Sequence, residues 1–208
     1  FDVETMVAWR DVRPLRIDLS CETKQGFELC RRFHDVLGAR AEALADFVAE
    51  HQERLRILPR FVAIQVVAGH SQRVTYLPQD RAGVSIGSVG EEMPISRFSE
   101  LVSELERFSP GIVVQASLWG EIALHSQVVD MLEDMERRVD ASFLLETSGV
   151  GWSQEARDAL VSSPLTRTTI IVDLDAAAEE VYNTLRGEGY AEATGFARAL
   201  LNAHPDRV

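Results

Sequence analysis

Apolar residues fall in two alternating rhythms along most of this chain. Short apolar runs alternate with longer stretches in which apolar residues recur at three- and four-residue spacing, and these are the marks of strands and helices. The runs FVAIQVVA (61–68), IVVQASL (112–118), SFLLE (142–146) and TIIVDL (169–174) predict strands. Helices are predicted after each: from Pro94 with Phe98, Leu101, Leu105 and Phe108; over 126–138 with Val128, Val129 and Leu132; from an N-cap at Ser153 to about 161; from an N-cap at Asp175 to about 186; and over 192–202. Continuous apolar strands, each followed by a helix, predict an α/β fold with a parallel sheet of right-handed βαβ units. Upstream, 15–19 alternates apolar and charged residues as a half-buried strand would. A helix follows with Phe27, Cys30, Phe33 and Leu37 on one face, stopped by Gly38, and a second over 41–56 carries Leu44, Val48 and Leu55. Residues 69–92 read as a long loop with Gly69, Gly83, Gly87 and Gly90, long enough to be functional or mobile.

In a parallel sheet the C-terminal strand ends share one mouth. Here they carry Gly69-His70, then Trp119-Gly120-Glu121, then Glu146-Thr147-Ser148-Gly149, then Asp173-Leu174-Asp175. Four successive tips with polar residues or glycine predict a ligand site at that rim.

Composition narrows the partners. The 208 residues carry a net charge of -12, which argues against a nucleic-acid binder, because such proteins need a basic footprint to displace counterions. No apolar run reaches membrane-span length and no leader pattern opens the chain, so a cytoplasmic protein with a small-molecule or protein partner is expected. The two cysteines, Cys21 and Cys30, match no zinc spacing and read as reduced thiols in or near a helix.

The strand tips resemble those of radical S-adenosylmethionine (SAM) enzymes. Trp119-Gly120-Glu121 with Leu124-His125 resembles their Gly-Glu-Pro stretch, and Glu146-Thr147-Ser148-Gly149 their Thr-Asn-Gly turn. Val172-Asp173-Leu174-Asp175-Ala176, with Tyr182 and Leu185-Arg186-Gly187, resembles their Ser-Leu-Asp-Gly strand and following helix. The variant most similar is the spiro-SPASM type, in which a nucleotidyltransferase-like domain precedes the barrel; residues 15–38 look like the closing strand and helix of a cytidylyltransferase-like domain. The resemblance implies two regions: 1–58, the tail of that domain plus a linker helix, and 59–208, a partial, open (βα) barrel of the radical SAM type. It makes the chain a slice of a longer protein or a reduced relative, without the cysteine-rich SPASM region. It also assigns Gly120, Glu121, Ser148 and Asp173 to the SAM pocket, with Glu121 on the SAM amino group.

The chain departs from the family where the cluster should be. A C-x-x-x-C-x-x-C loop holds the [4Fe-4S] cluster there; in GHSQRVTYLP the three positions fall on His70, Val74 and Leu77. Valine and leucine cannot ligate iron, and one imidazole cannot hold a cubane. The expectation is a barrel with no [4Fe-4S] cluster, and hence a non-catalytic binding or scaffold module. S-adenosylmethionine remains a candidate ligand, weakened by loss of the iron that chelates its methionine end. The alternative is a radical SAM enzyme whose ligands are altered in this chain.

Other signals give further candidates. Glu121, Glu146, Asp173 and Asp175 could hold a hard divalent cation, making a carboxylate–metal enzyme. Gly83-Val84-Ser85-Ile86-Gly87 fits G-x-S-x-G, but a nucleophile elbow needs a helix directly after it. His34 and His125 read as structural or solvated, His70 as the one histidine at the mouth, and Trp119 as rim packing or an adenine platform.

Overall fold

The computed structural model describes residues 20–22, 24–37, 50, 59–78, 85–86 and 90–208. The chain forms two compact units, Phe1–Leu58 and Pro59–Val208. In the first, helix α1 spans Lys24–Leu37. Cys30 and Phe33 are half-buried on it, while Phe27, expected on the same buried stripe, is exposed. The strand expected over 15–19 lies outside the described residues, as does the helix over 41–56 apart from residue 50, which is helical.

The second unit holds the elements that build the mouth. In chain order they are β1 (Phe61–Ala63), β2 (Gly69–His70), β3 (Ser85–Ile86), α2 (Ile95–Phe108), β4 (Ile112–Gln115), α3 (Val128–Arg137), β5 (Ala141–Thr147), α4 (Gln154–Ser162), β6 (Thr168–Val172), α5 (Glu179–Arg186) and α6 (Tyr190–Ala203). Strands β1, β4, β5 and β6 make one parallel sheet in that order. Its apolar face places Ile112, Val114, Phe143, Leu145 and Ile170 in one core with Phe98 and Val102 of α2, Met131 and Met135 of α3, Leu160 of α4, and Phe196 and Leu200 of α6. This burial, at roughly 25 cal/mol per Å² of apolar surface removed from water, is the main force holding the helices to the sheet.

The opposite face is less buried. Its side chains, including Val113, Gln115, Leu144, Glu146 and Ile171, are half-buried or exposed. The strands therefore alternate, where fully covered parallel strands would be buried on both faces.

Several boundaries differ from the periodicity, each for a local reason. The run 61–68 pairs in the sheet only through Ala63; beyond it, Ala68 donates to the Glu91 carbonyl and Met93 to the Val66 carbonyl, so the chain turns to pair with residues 91–93. The run 112–118 forms a four-residue strand, and Leu118 is exposed at its tip. A 3₁₀ turn at Ile122–Leu124 delays α3 to Val128. The loop over 69–92 contains the parallel pair β2–β3, which puts Ser85 in a strand, and the next described helix is α2. Among the described residues no helix starts directly after Ser85, as a nucleophile elbow would require. Ser153 caps α4 as expected, its hydroxyl accepting from the Ala156 amide. Asp175 does not cap α5, whose N-cap is Ala178.

Candidate functional site

The tips of β4, β5 and β6 and the segment after β2 meet at one end of the sheet. Gly120 lies against the backbone of residues 67–69: a Cβ built on it would sit 1.8 Å from the Val67 carbonyl oxygen. Only glycine fits such an approach. The next residue, Glu121, donates its amide to the Gly69 carbonyl at 2.7 Å. Its carboxylate is buried and has four donors. Oε1 accepts from the Thr147 hydroxyl at 2.6 Å and the Ala123 amide at 3.3 Å. Oε2 accepts from the Ser148 amide at 2.7 Å and hydroxyl at 2.6 Å. Burial pushes the Glu121 carboxyl above its ordinary range, against the pull of these bonds. Glu121 thus caps the 3₁₀ turn and rivets the β4 tip to the β5 tip.

The glycine-rich loop 147–151 is equally committed to the protein. Its consecutive amides are bonded: Ser148 to Glu121, Gly149 to the Thr147 hydroxyl at 3.1 Å, Val150 to the Ser148 hydroxyl at 3.2 Å, and Gly151 to Glu192 at 3.1 Å. Successive backbone amides can form a concave anion cradle. Here all four donate inward, and the Trp152 indole adds a bond to Thr147 Oγ1 at 2.9 Å.

At the β6 tip an ion cluster surrounds Arg186, which is 3% exposed. Its guanidinium pairs with Asp175, lies 3.5 Å from Asp173, and donates to the Tyr76 hydroxyl at 3.3 Å; Tyr76 in turn donates to Asp175. Burial would raise Asp175, but the hydrogen bonds from Tyr76 and Arg186 hold it below its ordinary value. Burial, then the charge of Glu146, pushes Asp173 up to about 6, opposed by Arg186.

Residues 70–78 cross these tips. His70 is buried, and its Nδ1 accepts from the Gln72 amide at 3.0 Å. Burial and the nearby Arg186 charge lower it to about 4. The Gln72 side chain donates to the Glu188 carbonyl at 2.6 Å and the Tyr182 hydroxyl at 3.2 Å. Val74 is buried and Leu77 half-buried.

The structure thus brings Gly120, Glu121 and Ser148 together, and places Asp173 at the adjacent tip beside Arg186. The four mouth carboxylates do not converge on a cation: Glu146 accepts from Gln115 at 2.6 Å, Glu121 is riveted to β5, and Asp173 and Asp175 face Arg186. Among the described residues no group of three or more histidine, cysteine or carboxylate side chains is placed to hold a metal. Trp119 is half-buried, its amide 3.3 Å from Gln65 Oε1. His125 is structural, its ring bonded to the Met93 carbonyl and the Gln127 amide. Sequence reasoning gave no role to Gln72, Tyr76, Tyr182 or Arg186. Tyr182 and Arg186, four apart on α5 and so on one helix face, were the available signal.

His70 and Asp173 set opposing pH responses. The unfolded chain protonates histidine near pH 6.5, the folded one only near pH 4, so this group loses stability as pH falls across that window. The folded Asp173 takes its proton near pH 6, the unfolded one near 3.8, so its contribution rises as pH falls. The two nearly offset. His70→Asn, whose amide oxygen can replace Nδ1 as acceptor, should remove a loss on the order of 3 kcal/mol between pH 6.5 and 4. Asp173→Asn should expose that loss. Urea unfolding across this range checks both, and variant profiles parallel to the parent would refute the assignment.

No family model matches the chain. An uncharacterized protein of Treponema pallidum (strain Nichols) is 29% identical over 205 residues, covering 95% of this chain and 55% of the relative. The chain therefore spans about half the length of that curated relative. Among solved structures, Streptococcus suis SuiB bound to S-adenosylmethionine matches at a TM-score of 0.60 and 12% identity, over 86% of this chain and 44% of SuiB. SuiB bound to precursor peptide SuiA matches at 0.60 and 12%, over 78% and 35%. The fold is a partial, open (βα) barrel of the radical SAM type. At this identity the likeness concerns the fold alone. Both cysteines of the chain, Cys21 and Cys30, lie in the Phe1–Leu58 unit. No helix among the described residues is long and apolar enough to cross a membrane.

Proposed function

We propose that this barrel works without a [4Fe-4S] cluster, as a non-catalytic binding or scaffold module. What supports the reading is the segment 70–78, where an imidazole and two aliphatic side chains stand at the positions that the resemblance assigns to the cluster ligands, and Val74 is buried. Cluster irons are held by thiolates, with histidine a partial substitute, so the residues present do not fit the group. The SAM assignment weakens for a separate reason. Glu121 and Ser148, assigned to the SAM pocket by resemblance, already bond each other and the neighbouring Thr147, Ala123 and Val150. The occupant of such a module is a small molecule or a protein segment, and SuiB, solved with a precursor peptide, offers a precedent for a peptide. The spiro-SPASM arrangement, with residues 1–58 as the end of a cytidylyltransferase-like domain, belongs to the same proposal.

Anaerobic reconstitution with iron and sulfide tests it. The expected product is colourless and holds no iron after desalting, and titration with S-adenosylmethionine gives no heat. A brown protein with about four irons per chain, the content of one cubane cluster, would overturn the reading in favour of a cluster-bearing enzyme. Heat without iron would keep the module and restore SAM as its ligand.

A further inference from the structure

The segment after β2 visits the strand tips one at a time. The Gly69 carbonyl accepts from Glu121 at the β4 tip. Ser71 reaches the Val150 carbonyl at 3.4 Å and lies against Gly151, in the loop after β5. Gln72 bonds Tyr182 of α5 and the Glu188 carbonyl just after it. The Thr75 amide donates to the Leu185 carbonyl at 2.9 Å, and Tyr76 meets Asp175 beyond β6. An extended chain advances about 3.3 Å per residue and neighbouring strands lie about 4.8 Å apart, so three residues cross two strand spacings. The segment therefore runs from the β4 tip to the β6 edge of the sheet.

We infer that residues 71–78 form a latched strap over the barrel mouth, with Arg186 as the latch, and that the strap opens as a unit while the barrel stays folded. Its fastening differs from that of the barrel. Arg73, Thr75, Tyr76 and Pro78 are exposed, Leu77 is half-buried and Val74 is buried. Polar contacts hold the strap: the Gln72 amide on Glu188 and Tyr182, the Thr75 amide on Leu185, and Tyr76 on the Asp175–Arg186 pair. Segments whose side chains are largely exposed open at lower free energy than the core they cover. Gly189 fits this packing, because a Cβ there would stand 2.8 Å from Val150 Cγ2 and 3.1 Å from Gln72 Nε2. Opening uncovers the tips of β4, β5 and β6 together, which makes the strap a gate to whatever the mouth receives.

Hydrogen exchange of the full chain, read by mass spectrometry, tests the latch. In the parent protein, peptides covering 71–78 should be protected, yet exchange faster than β5. Arg186→Met should speed exchange in 71–78 about tenfold and leave β5 unchanged, the pattern of a local opening. Tyr76→Phe, at a side chain exposed enough to spare the fold, should move the same peptides in the same direction, and it carries the test if the arginine variant does not fold. Three results would overturn the inference: a strap unprotected in the parent, no change in Tyr76→Phe, or equal acceleration of 71–78 and β5. Iron content does not enter this readout, so the latch and the cluster-free reading fail separately.

Discussion

Glu121→Ala should lower the stability of the barrel by about 3–5 kcal/mol, the range for removing one side of a buried, fully bonded polar network. The substitution strips acceptors from the Thr147 and Ser148 hydroxyls and from the Ser148 and Ala123 amides in a site closed to water. The hydroxyls can turn toward other partners, but the two amides are fixed by the backbone. Glu121→Gln should fall between the variant and the parent, since one amide oxygen can still accept while the new NH₂ group faces donors. Equilibrium urea unfolding measures both. The size of the loss also separates two roles for the residue. A carboxylate kept free for a ligand would cost little when removed from the unliganded protein, so a change under about 1 kcal/mol would return Glu121 to the ligand-binding role that the resemblance assigns to it.

Gly120→Ala should be nearly as damaging, for a different reason. The added Cβ would meet the Val67 carbonyl oxygen at 1.8 Å and the Val67 carbonyl carbon at 2.9 Å. These are backbone atoms that no rotamer change can move. Relief requires the β4 tip to retreat from residues 67–69, which breaks the Glu121 amide bond to Gly69. A loss of about 3 kcal/mol or more is expected, at the severe end of overpacking. Gly195→Ala in α6 serves as the control, because its Cβ enters open space and should gain about 1 kcal/mol from helix propensity alone. Thermal melts of the two variants should move in opposite directions. A Gly120→Ala protein as stable as the parent would show that the tip has slack and that its close approach is not required.

The strands and helices of the Pro59–Val208 unit were legible because each has its own apolar signature. The runs around Phe143 and Ile170 each fill a strand slot under helices whose apolar residues recur with period 3.6. Register limits were less legible. Nothing in FVAIQVVA tells the first three residues from the rest; the difference lies in Glu91 to Met93, which take over the pairing. Asp175 illustrates the same limit. Placed after a strand and before a run of alanines, it reads as a cap, but its backbone sits at φ +57, which Asp tolerates better than most residues. Its carboxylate serves Arg186 and Tyr76, the latter 99 positions away. Glu121 was legible as a carboxylate at a strand tip. Whether it faced a ligand or the protein depended on Thr147 and Ser148, whose side-chain directions no periodicity records.

The strand order has a kinetic corollary. Strands β4, β5 and β6 follow one another in the chain and lie side by side, so each pairing closes a single helix-length loop. Strand β1 joins the far edge only across the much longer span that includes residues 69–92 and α2. Loop-closure entropy grows with that span, and contacts distant in sequence form late. Loop-closure entropy therefore favours pairing of β4, β5 and β6 ahead of β1. The β5 and β6 tips belong to the part that can nucleate first, while β1 and the crossing segment it carries join an already formed edge. The residues that cover the mouth are carried by the strand whose pairing closes the longest loop.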